Sequence, residues 1–65
     1  MAKNKIKVYE NDAYVTMEHC FPSGMYMVKI VSPQGNHHDK ILCDTYGAAM
    51  DYWRSFNKVA KNLWK

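Results

Sequence analysis

A chain of 65 residues holds one small hydrophobic core, with no room for a catalytic domain beside a regulatory one. Its hydrophobic content of 48% against 23% charged residues is that of a globular domain and excludes general disorder. A net charge of +3 admits acidic partners but falls short of the dense basic surface of a dedicated nucleic-acid binder.

Residues 1–5 are polar and basic, with nothing to pack, and are expected to form a flexible arm of a single domain, 1–65. Ile6 and Val8 then alternate with Lys5, Lys7 and Tyr9, which predicts a short strand, and Asn11-Asp12 tolerates the backbone angles of a reversal. Alternation resumes from Ala13 to Phe21, with Ala13, Val15 and Met17 on one face and Tyr14, Thr16 and Glu18 on the other. Pro22-Ser23-Gly24 ends that strand. Met25 to Val31 is almost wholly apolar and predicts a central strand, with Tyr26, Val28 and Ile30 facing the core and Met27, Lys29 and Val31 facing outward. The cluster from Ser32 to Asn36 turns the chain again, and His37 to Cys43 reads as a fourth strand with His37, Asp39, Ile41 and Cys43 on one face.

After Cys43 the apolar period lengthens from two to about 3.6. Tyr46, Ala49, Trp53, Phe56, Ala60 and Leu63 recur at three- and four-residue steps, which predicts an amphipathic helix ending near Trp64, with Asp44 or Thr45 as its cap. Gly47 costs helix propensity, and a close approach to a strand would account for it. The expected architecture is therefore α+β: a four-stranded antiparallel meander with one C-terminal helix on one face, ββββα.

Four sets of residues invite a functional reading. Arg54, Lys58, Lys61 and Lys65 share one helix flank and, with Lys3, Lys5 and Lys7, could contact nucleic-acid phosphates; a solvated face favourable to the helix dipole explains the same stripe. His19, Cys20, His37, His38 and Cys43 are potential metal ligands, but adjacent strand residues point to opposite faces, so no metal site and no cofactor are expected. Cys20 or Cys43 with a histidine, or His37 with Asp39, could be arranged as a nucleophile and base; a domain this small offers no deep cleft, so no enzymatic activity and no small-molecule substrate are expected. Tyr14, Met25, Met27, Val31, Tyr52 and Trp64 remain once one sheet face and one helix stripe are buried, and they point to a protein interface or a homodimer.

The two cysteines are too few for a disulfide scaffold, and a bridge between them requires neighbouring strands. No apolar run approaches the ~18 residues of a membrane span, and no apolar segment follows the first lysines, so a cytoplasmic protein without a membrane partner is expected.

The run His38-Asp39-Lys40-Ile41-Leu42-Cys43-Asp44-Thr45-Tyr46, followed by Ala49-Met50-Asp51-Tyr52 and Phe56-Asn57-Lys58-Val59-Ala60-Lys61-Asn62, resembles small uncharacterised proteins of large tailed bacteriophages, cyanophages among them. The resemblance covers the C-terminal part of the chain and carries no functional residue with it. It implies expression in an infected bacterial cytoplasm, where a short protein acts by binding a host protein or nucleic acid, as an accessory protein that binds and modulates a host protein would.

Overall fold

Three reversals decide the topology, and each is made by residues suited to it. In the computed structural model, which describes residues 4–64, strands β1 (Lys5–Val8), β2 (Tyr14–His19), β3 (Tyr26–Val31) and β4 (His37–Cys43) precede helix α1 (Tyr46–Asn62). At the first reversal Asp12 takes φ 74°, and the Asn11 Oδ1 accepts from the Ala13 amide at 2.9 Å. Aspartate enters this left-handed region at lower cost than most side chains. Gly24 and Gly35, at φ 77° and 88°, serve the second and third reversals, where a side chain would be strained. The Ser32 hydroxyl closes the third by accepting from the Asn36 amide at 3.2 Å.

These connections give one antiparallel sheet in the order β1-β2-β3-β4. The helix starts where Thr45 Oγ1 accepts from the Ala48 amide at 3.2 Å, so Thr45 rather than Asp44 is the cap. It runs back across β2, β3 and part of β4. Ala49, Phe56 and Ala60 meet Ala13, Val15, Met17, Tyr26, Val28, Ile30 and Cys43 in the core, with Tyr46 and Trp53 packed at its margin. Small alanines at 49 and 60 let the helix lie close while Phe56 fills the middle. Each large side chain enclosed there contributes about 1.5–3 kcal/mol of transfer free energy.

The far end of the helix is tied to the first reversal. Asn11 Nδ2 donates to the Trp64 carbonyl at 2.5 Å and, at 3.4 Å, to that of Ala60, while the Tyr9 hydroxyl donates to Asn57 Oδ1. One turn therefore supplies partners to carbonyls that a helix end leaves unpaired.

Several expectations change. Lys5 opens β1 instead of ending an arm, and the Asn4 Oδ1 accepts from the His19 amide at 2.9 Å; positions 1–3 lie outside the described residues. Leu63 falls beyond the helix end and is exposed, and Trp64 takes its place against the core. A Cβ built on Gly47 meets nothing within 4 Å, so close approach to a strand does not explain this glycine. Cys20 and Cys43 are free thiols separated by the whole of β3.

The largest correction concerns Val31 and His37. β3 and β4 keep one register from Tyr26↔Cys43 to Ile30↔Asp39, but Val31 pairs with His37, leaving His38 as an extra residue in β4. This bulge breaks the alternation. His37 thus pairs with Val31 of the outward set, apart from Asp39, Ile41 and Cys43, and His38 sets its ring edge-on to Trp64 at 5.1 Å. Val31 itself is fully enclosed, although it belongs to the outward set.

Candidate functional site

The helix covers one side of the sheet and leaves the other open. Register assigns three cross-strand rows to the open side: Glu18, Met27 and Leu42; Ile6, Thr16, Lys29 and Lys40; and Val8, Tyr14, Val31 and His37. Ile6, Val8 and Leu42 are 65%, 60% and 55% exposed, and half-buried Tyr14 and Met27 lie between them. The exposed apolar side chains of this face thus stand on the two outer strands, β1 and β4, with half-buried side chains on β2 and β3 between them.

The middle row is electrostatically unbalanced. Lys29 and Lys40 stand directly opposite each other on neighbouring strands, an arrangement that disfavours the isolated sheet. Beside Lys29, the Thr16 hydroxyl is enclosed and has no hydrogen-bond partner among the described residues. Two ammonium groups and an unused hydroxyl are therefore aligned in the centre of an apolar face. A carboxylate brought against this row would satisfy the cations without being left in an uncompensated apolar setting.

Of the six residues expected at an interface, Tyr14 and Met27 stand on this face. Val31 is enclosed and offers no surface. Met25 precedes β3 in the second hairpin, Tyr52 lies on the helix beside the Phe56 ring, and Trp64 packs against the core and His38. The structure thus scatters the set. Alternation alone sets Lys29 outward beside Met27, and Lys40 and Leu42 on the face opposite Ile41 and Cys43; Ile6 and Val8 depend on register, which the first hairpin fixes by pairing Lys5 with Met17. A shift of one residue would have turned Ile6 and Val8 to the helix side instead.

The basic stripe lies on the opposite side of the molecule. Arg54, Lys58 and Lys61 are exposed, and Arg54 bonds Asp51 at 3.2 Å; Lys65 lies outside the described residues. The potential ligands do not converge: among the described residues no group of three His, Cys, Asp or Glu could hold an ion. His19 instead stacks on Tyr26 at 4.4 Å, touches the Phe21 ring, and places Nε2 3.2 Å from the Gly24 carbonyl, which makes it part of the second hairpin. Burial, and secondarily the Asp44 carboxylate, push the Cys43 thiol up, which disfavours the nucleophilic thiolate. No helix among the described residues is long and apolar enough to cross a membrane.

The fold and the open face define a small α+β sheet-and-helix domain with one uncovered sheet surface. Comparison with protein-family models, curated proteins and solved structures finds no match.

Proposed function

We propose that this chain is a non-enzymatic protein-binding module that docks its partner on the open face of the sheet. The observation that carries the proposal is the coincidence of exposed Ile6, Val8 and Leu42 with the unbalanced Lys29–Lys40 row. Large apolar patches on a small domain favour association, and the charged row gives that association a sign. A second copy laid face to face would bring four lysines together, so the row favours a different protein with an acidic group set in apolar surface. Accessory action on a host protein in an infected cytoplasm is the setting suggested by the phage resemblance.

The test compares capture from extracts of the source cells by the native chain and by Leu42→Glu/Met27→Glu, with and without nuclease. Recovery of a protein by the native chain and its loss with the face variant is expected. Recovery unchanged by the face variant, but lost with Lys58→Glu/Lys61→Glu and with nuclease, would transfer the function to the helix stripe and nucleic acid. Monomeric sedimentation of the native chain at high concentration is also expected, and a face-dependent dimer would contradict the partner assigned here.

A further inference from the structure

The sheet ends at β1, and β1 is exposed along its whole length. It lies outside the ground covered by the helix, which spans β2, β3 and part of β4. Its side chains alternate by chemistry: Lys5 and Lys7 pair with core-facing Met17 and Val15, and Ile6 and Val8 with open-face Thr16 and Tyr14. The lysines therefore stand on the helix side and the aliphatic residues on the open side.

Hydrogen-bond phase adds a third element. The Tyr9 amide donates to the Ala13 carbonyl at 2.8 Å, so Tyr9 turns its backbone toward the strand beside it, although the Ala13 amide donates to Asn11 Oδ1 instead of returning the bond. Bonded and non-bonded pairs alternate in an antiparallel ladder, so Lys7 and Lys5 direct their backbone groups at β2. Ile6 and Val8 direct theirs away from it, to the free edge. Beside this edge lies a groove of about 610 Å³ between the first hairpin and the helix end, lined by two cationic residues, Lys7 and Lys61, and one acidic residue, Glu10, with Tyr9 and Trp64 at its walls.

The opposite edge is not equivalent. β4 is interrupted by the bulge at His38, a feature that hinders strand addition, whereas β1 keeps one register from Lys5 to Val8. Edge lysines alone also discourage the pairing of identical chains, which here would set lysine against lysine. The same lysines favour a strand of opposite sign.

We infer that β1 accepts an extended peptide segment of a partner as a fifth strand, with acidic side chains at alternate positions. The residues opposite Lys5 and Lys7 project carboxylates toward the groove and Lys61, and those between them continue the apolar open face beside Ile6 and Val8. Backbone groups of Ile6 and Val8 supply the ladder, and the alternation supplies the specificity. This inference rests on the reading of the chain as a protein-binding module and adds the edge to the face.

The experiment uses the full chain and three capped synthetic peptides, observed through backbone amide resonances and amide exchange. One alternates glutamate and valine, one has the same composition with the glutamates in a single block, and one alternates lysine and valine. Saturable binding of the first is expected, with slowed exchange at Ile6 and Val8 and affinity at least about tenfold above that of the other two. Lys5→Glu/Lys7→Glu, checked for an intact spectrum, should reverse the preference toward the lysine peptide. Equal binding of the alternating and block peptides, indifference to the lysine reversal, or no saturable binding would each overturn the inference. Peptide binding lost with Lys29→Glu/Lys40→Glu but kept with Lys5→Glu/Lys7→Glu would overturn the edge while sustaining the open face. Edge-dependent peptide binding together with face-independent capture would do the reverse.

Discussion

The two sides of this sheet carry residues of similar hydrophobicity and opposite fate. On the helix side Val15, Met17 and Val28 are wholly enclosed, while on the other Ile6, Val8 and Leu42 are more than half exposed. Among the described residues one helix faces a four-stranded sheet, and it covers one side. Stability is concentrated beneath the helix, and the apolar area opposite adds little to it in the isolated chain.

The sharpest way to break that contrast is to shorten one residue on each side. Met17→Ala leaves a cavity under Phe56 and the alanines and is expected to cost about 2–5 kcal/mol in denaturant unfolding. Leu42→Ala, on the open side, should change stability within about 0.5 kcal/mol. Comparable losses at both positions would mean that the open face is covered in the isolated chain.

A smaller effect is expected at the junction between the first hairpin and the helix end. Asn11→Ala removes the side chain that serves Ala13, Ala60 and Trp64 and should cost about 1–3 kcal/mol. Hydrogen exchange should then rise in the last helical turn before it rises in β3. On the open face, Thr16→Val removes the hydroxyl that is enclosed without a partner and is expected to stabilise by about 1 kcal/mol. Loss of stability in that variant would show that the hydroxyl is already satisfied. Gly47→Ala should raise stability by about 0.5–1 kcal/mol, because the helix gains propensity and the new methyl meets open space.

Much of this arrangement is legible in the amino-acid sequence, for physical reasons that differ from element to element. Turn residues mark all three reversals, and the change of period after Cys43 marks the helix, since backbone angles and one-sided burial are local properties. The covered side is legible too: Ala13, Val15 and Met17 are enclosed as their alternation predicts. Register is not local. The bulge at His38 moves His37 off the face of Asp39, and the first hairpin turns Ile6 and Val8 outward, so these parts of the open face depend on pairing while the rest follows from alternation within each strand. Exposure follows the same logic: Val31 was expected at an interface because it alternates outward, yet it is enclosed. The final turn departs by one residue from the helical spacing, Trp64 packing where the spacing places Leu63, because the helix stops at Asn62.

A further effect, a pH dependence, is expected on the helix side. Burial pushes the Tyr9 phenol up from its ordinary value of 10.0, and its hydroxyl donates to Asn57. A phenol with a raised pKa in the folded state holds its proton when the unfolded chain has released it. Its contribution is therefore complete below the ordinary value and is lost as pH rises from there through the folded-state value. Tyr9→Phe should lower stability at neutral pH by about 0.5–1.5 kcal/mol through the lost hydrogen bond. It should also make the alkaline decline shallower, because the phenylalanine has no proton to lose in either state. Denaturant midpoints measured for both chains between about pH 8 and 11 test the difference, and parallel curves would show that Tyr9 is no more desolvated in the folded chain than in the unfolded one.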